Sequence, residues 1–135
     1  MNNYMIHKAL DKKLEQFAQA ANVPVAWENT PFTPPVSGVY LESDFLPADN
    51  EDFTVQGSAT LRRGLYQVTV VYPVGSGTQA AEKLASAVSL AFSNNTALPT
   101  EESPVYINGE PSVFSGIRDG TAYRMPVSIA YVVTA

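Results

Sequence analysis

There is no cysteine in these 135 residues. That excludes disulfides, thiol nucleophiles and cysteine-ligated zinc. Histidine is nearly absent too: His7 stands alone. A Ser–His–Asp triad would rest wholly on it, yet its neighbours Ile6 and Lys8 mark it as an ordinary surface or helix-boundary residue. With one imidazole and no thiol, no metal site is expected. Basic residues are few: eight Lys and Arg, scattered, against thirteen acids, for a net charge of −5. The concentrated positive charge that nucleic-acid phosphates require is missing, so no sequence-specific nucleic-acid binding is expected. No apolar run approaches the roughly twenty residues of a membrane span. The start, MNNYMIHKAL, lacks the apolar core of a signal peptide. A soluble protein made in the cytoplasm, with no membrane partner, is the expectation.

The sequence also lacks intact catalytic motifs. Gly75-Ser76-Gly77-Thr78 lies between a strand pattern and a helix pattern, where a phosphate loop would sit. No Lys follows Gly77, and Ala80 stands where a dinucleotide fingerprint needs its third glycine. The nucleophile elbow of hydrolases is absent. The acidic stretch ADNEDFTVQG has no glycine where a calcium loop requires one. Asn94-Asn95-Thr96 matches a glycosylation sequon, which a cytoplasmic protein would not use. No catalytic residue, cofactor-binding residue or metal ligand is assigned, and no cofactor is expected. A small hydrolase working with a carboxylate pair is the enzymatic alternative, although so short a chain leaves little room for a substrate cleft.

What is present is a well-specified core unit, Gly64 to Phe92. Tyr66, Val68, Val70, Tyr72 and Val74 alternate with Gln67 and Thr69, the period of a half-buried strand. Beyond Gly77 the apolar period becomes helical, through Ala81, Leu84, Ala85, Val88, Ala91 and Phe92. Ser76 and Gln79 have the spacing of a capping box. Earlier in the chain, Ile6, Leu10, Leu14, Phe17 and Ala21 stripe a helix from about Asn3 to Ala21, with Asn22 as its stop. Val25-Ala26-Trp27 reads as a short strand. The proline-rich 29–38 reads as a stiff loop. Val39 to Leu46 alternates as a half-exposed strand, and 53–60 reads as extended. Arg62-Arg63-Gly64 reads as a bulge or turn, with the region before it as the same strand continued. After the second helix the pattern predicts a meander. Val105–Ile107 leads through Asn108-Gly109 into a strand over 111–118, and Asp119-Gly120 turns into a last strand, Tyr123 to Val133. Pro126 requires an unpaired side or a bulge there.

This order of elements predicts one domain, 1–135, of α+β class: a mixed, mostly antiparallel sheet with two helices packed on one face. A defined fold without a catalytic constellation points to a role in which the surface acts. Two charged features stand out. Arg62 and Arg63 are the basic pair outside the first helix, and Asp49, Glu51 and Asp52 belong to an acidic segment. They are the candidate contacts with a neighbouring subunit or partner, on charge complementarity.

The order KALDKKLEQFA, VAWENTPFTPP, GLYQVTVVYPVGSG, TQAAEKLASAVSLAF and YRMPVSIAYVV resembles the tail-terminator proteins of long-tailed bacteriophages. In particular it is similar to the minor tail protein U family. The resemblance spans nearly the whole chain. It implies a virion protein that caps the tail tube, ends its polymerisation and prepares the tail for joining to the head. It implies a ring of copies of the chain, six-fold to match the tube. Tail-tube protein and head–tail connector proteins would be its partners. A head-to-tail ring joins two different patches of identical subunits, which suits one basic and one acidic patch. A neck or head-completion connector protein is the structural alternative.

Overall fold

The computed structural model describes residues 1–48, 51–52 and 60–134, of which 51, 52 and 60 enter by their backbone alone. One apolar residue per turn makes a stripe of Ile6, Leu10, Leu14 and Ala18, and helix α1 (Asn3–Ala21) buries all four. Asn2 caps its start: the side-chain oxygen accepts from the Met5 N–H at 3.0 Å. Asn22 ends it in the left-handed conformation, φ 56°. Helix α2 (Gln79–Ala91) buries Ala81, Ala85 and Val88, and Phe92 follows, also buried.

The strands are β1 (Val25–Ala26), β2 (Tyr40–Pro47), β3 (Glu51–Asp52), β4 (Thr60–Pro73), β5 (Ala97–Leu98), β6 (Val105–Ile107), β7 (Ser112–Val113), β8 (Ile117–Asp119) and β9 (Ala122–Thr134). They form one sheet in the order β1-β2-β4-β9-β6-β5, with β3 beside β4 and β7 and β8 beside β9. β1 runs parallel to β2 and every other pairing is antiparallel. The long strands β4 and β9 pair without interruption from Leu61↔Thr134 to Pro73↔Ala122. They place Tyr66, Val68 and Val70 beside Val127, Ile129 and Tyr131 on one face, in one hydrophobic cluster with the buried stripes of both helices. This is an α+β fold with both helices on one face of a mixed, mostly antiparallel sheet.

Several local expectations are corrected. Arg62-Arg63-Gly64 is no bulge or turn, because each residue keeps its ladder partner in β9. The break in apolar pattern there has a packing cause. A Cβ on Gly64 would stand 2.6 Å from the Leu46 carbonyl oxygen and 2.7 Å from the Tyr131 hydroxyl. The missing side chain lets Tyr131 lie across β4 and stack on Phe45, centroids 5.6 Å apart. The capping box does not form. Gly75 and Gly77, at φ 87° and 82°, curl the loop back. The Ser76 hydroxyl therefore donates to the Pro73 carbonyl at 2.7 Å, and Thr78 takes the cap position without a side-chain bond. Val74 lies past the end of β4 and is exposed.

Asn108-Gly109 does not close a hairpin. β9 is long enough to carry β6, β7 and β8 end to end along one side, so the chain runs on instead of reversing. The Asn94 side chain holds this step by accepting the Gly109 N–H at 2.7 Å. The turn after Asp119 does form, joining β8 to β9. Pro126 faces its backbone away from β4: its carbonyl accepts the Phe114 N–H at 2.9 Å. Its missing N–H therefore falls in the gap between β7 and β8 and removes no β4–β9 bond. The extended reading over 53–59 lies outside the described residues.

Candidate assembly surface

Both helices lie on one side, and among the described residues no helix covers the other face of the sheet. Odd positions of β4 and even positions of β2 and β9 point there. Register fixes its rows. Leu46, Leu65 and Ala130 lie side by side across β2, β4 and β9. The next row is Arg63, Val132, Tyr106 and Ala97, across β4, β9, β6 and β5. Leu46 is 47% exposed, Leu65 41% and Tyr106 45%. Two adjoining rows on an uncovered face are thus largely apolar.

The opposite end of the same face is closed by the chain itself. Arg124, directly opposite Val71, reaches across β4 to the Glu42 carboxylate on β2 and donates from Nε to Asp119 at 3.2 Å. Tyr40, also opposite Val71, packs on Phe32 of the proline-rich loop at 4.9 Å. Under this cover Thr69 and Val71 are buried. The alternation that predicts a wet face for β4 fails there because an ion-pair strap, laid over apolar surface, excludes water.

A polar seam joins α1 to the sheet. The Tyr66 hydroxyl donates to Asp11 at 2.6 Å, and His7 Nε2 stands 3.3 Å from the other Asp11 oxygen. The His7 ring stacks on Phe45 at 4.6 Å. His7 is therefore no plain surface residue: it is half-buried and clamps α1 onto β2. Burial pushes the Asp11 carboxyl upward, against the Tyr66 hydrogen bond and the His7 charge, which lower it, while Glu28 adds to the rise. Burial also raises Tyr66 far above the usual phenol range, with Asp11 reinforcing it. Asp44 is raised by burial and by Glu28. Among the described residues no three His, Asp or Glu side chains converge as a metal-ligand set. No helix among them is long and apolar enough to cross a membrane.

The charged candidates separate. Arg62 and Arg63 are successive strand residues, so they point to opposite faces. Arg62 lies on the helix side near Tyr131, half-buried, its Nε enclosed without a hydrogen-bond partner among the described residues. Tyr131 is pushed up to about 12 by burial, and the Arg62 charge pulls it down. Arg63 is exposed on the open face. Glu51 and Asp52 pair with Leu61 and Thr60, one step from the arginines, so these acidic and basic positions share one end of β4. Asp49 lies outside the described residues. The apolar rows of the open face were missed in the sequence. Their signal was the loss of alternation near the end of β9, where Ala130, Tyr131, Val132 and Val133 are apolar on both parities.

The fold thus has two layers, an apolar field on the sheet face away from the helices, and acidic and basic positions together at one end of β4. The family described as phage tail terminator protein matches residues 5–131, and the chain belongs to it. As a member it is a structural protein of a phage tail. One solved structure is 32% identical and superposes with a TM-score of 0.82, over 98% of this chain and 96% of its own. A chain from the virion of a native gene transfer agent (GTA) particle shares the fold, with a TM-score of 0.72 at 16% identity, over 97% of this chain and 96% of that one. A search of curated proteins finds no match.

Proposed function

We propose that this protein caps the tail tube, ends its polymerisation and readies the tail for joining to the head, as a ring of copies, six-fold to match the tube. The observation that carries this is the family match across residues 5–131. The uncovered apolar sheet face supports the ring, since a subunit that works alone gains nothing from leaving such surface in water. The nearer kinship with minor tail protein U rests on the order of segments in the sequence. In this reading the chain works without catalysis or cofactor, in the virion at the head-proximal end of the tail, after assembly in the host cytoplasm. Its partners are copies of itself, the tail-tube protein and the head–tail connector proteins. The contact with tube or subunit is formed by Arg62, Arg63, Glu51 and Asp52 at the charged end of β4, and by Asp49, which lies outside the described residues.

Deleting the gene from its phage or prophage tests the reading. Tails of irregular or excessive length that do not join heads are expected. Uniform tails that still acquire heads would overturn it. Co-purification with connector protein in the absence of tube protein would move the chain to the neck instead.

A further inference from the structure

Asn108-Gly109 is the one asparagine–glycine step in the chain, and the fold does not use it as a hairpin. It still carries chemistry. The Gly109 backbone nitrogen can attack the side-chain amide carbon of Asn108, because glycine brings no Cβ to hinder the approach. The space beside it is open too: a Cβ built there would meet nothing within 4 Å. As the new C–N bond forms, the Gly109 nitrogen gives up its proton, and the Asn108 Nδ2 takes one and leaves as ammonia. Water then opens the succinimide ring at either carbonyl, which leaves aspartate or isoaspartate.

The structure holds this step still. Gly109 N–H donates to Asn94 Oδ1 at 2.7 Å, and Asn108 N–H donates to the Ala130 carbonyl at 2.9 Å. Both peptide groups flanking the Asn108 Cα are therefore fixed, and ring closure needs one to turn against the other. A neutral amide oxygen such as Asn94 Oδ1 is too weak a base to remove the Gly109 proton, so it restrains the nitrogen without activating it. The same clasp continues through Asn95 N–H to the Ile107 carbonyl at 2.9 Å and Ile107 N–H to the Thr96 carbonyl at 3.0 Å. Asn108 itself is exposed. Its bond to Ala130 carries the β6–β9 ladder one residue further, so strand alternation puts its side chain on the open sheet face with that of Tyr106.

We propose that Asn108 is a deamidation site held in check by the Asn94 side chain, and that its conversion sets a carboxylate beside Ala130 on the open sheet face. Isoaspartate also lengthens the backbone by one carbon and breaks the bond to Ala130. The consequence for assembly rests on the function proposed above: a subunit that waits unassembled gains a charge beside an apolar row and joins less well.

Purified wild type, Asn94→Ala, Asn108→Gln and Ile6→Val are aged at mildly alkaline pH, in buffer and in urea. Peptide mapping by mass spectrometry reads position 108, and circular dichroism confirms the folded state in buffer. Wild-type Asn108 should convert slowly when folded and much faster in urea. Asn94→Ala should speed the folded reaction by about fivefold, the effect of one hydrogen bond on a local opening. Ile6→Val weakens the core at α1 and should leave that rate near wild type, which separates the clasp from general destabilisation. Asn108→Gln closes its ring more slowly and should stay unconverted. Equal rates in folded and unfolded wild type, no acceleration in Asn94→Ala, or equal acceleration in Ile6→Val would overturn the proposal. In phage, Asn108→Asp should reduce the yield of normal, headed tails, and Asn108→Gln should not. Normal tails from Asn108→Asp, where deleting the gene disturbs them, would overturn the consequence for assembly. Normal tails after the deletion itself would overturn the function proposed above.

Discussion

Gly64 shows how one missing side chain can organise a neighbourhood. Tyr131 occupies the space above it and stacks on Phe45, which in turn carries the ring of His7 from α1. Gly64→Ala would drive a methyl group into the Leu46 carbonyl, the Tyr131 hydroxyl and the Pro47 Cα, all within 2.8 Å of the new carbon. Two of those neighbours are backbone and cannot rotate away. A loss of about 1–3 kcal/mol is expected, read as a lower urea midpoint at unchanged slope. Asp11 makes the second residue-scale prediction. Its folded carboxyl is raised above 3.8, so the fold holds that proton more tightly than the unfolded chain does. Its contribution to stability is full below pH 3.8 and is lost as pH rises through the folded value. Asp44 acts with the same sign. Asp11→Asn keeps an acceptor for the Tyr66 hydroxyl and removes the charge. The melting temperature of the variant minus that of wild type should therefore rise between about pH 4 and neutrality, and a falling difference would refute the assignment.

At the scale of elements, the strap of Glu42, Arg124 and Asp119 ties β2, β8 and β9 together over β4. Its stabilisation has two parts, an ion pair that is half-shielded and an arginine stem that covers Val71. Arg124→Ala loses both and should cost about 1–2 kcal/mol. Arg124→Met keeps the stem and should cost clearly less in the same denaturation series. Equal losses would assign the whole effect to the charge. Elements set by local chemistry were legible in the sequence. α1, with its stripe and its Asn22 stop, is one, and the buried parity of β4 and β9 is another. Elements set by distant partners were not. Asn108-Gly109 carries a strong hairpin signal, but β9 is long enough to receive β6 directly, so the pairing goes elsewhere. Ser76 has the spacing of a cap, but two left-handed glycines turn its hydroxyl to Pro73. The strap over Val71 joins residues 82 positions apart, which no window of sequence displays.

At the scale of the whole molecule, the two arginines that the sequence presents as a pair have different surroundings. Arg62 lies on the helix side with its Nε enclosed near Tyr131. Arg62→Glu would put a carboxylate beside a buried phenol and should lower stability by roughly 1–3 kcal/mol. Loss of assembly in that variant would then report unfolding as much as a lost contact. Arg63 is exposed on the open face, in the row of Val132 and Tyr106. Arg63→Glu should cost about 1 kcal/mol or less. If the charged end of β4 meets the tube or a neighbour, this variant melts within a few degrees of wild type and still yields overlong or headless tails. Melting curves together with tail lengths measured by electron microscopy separate the outcomes. A stable Arg63→Glu protein that terminates tails normally would remove Arg63 from the contact and leave the apolar rows beside it to carry the association.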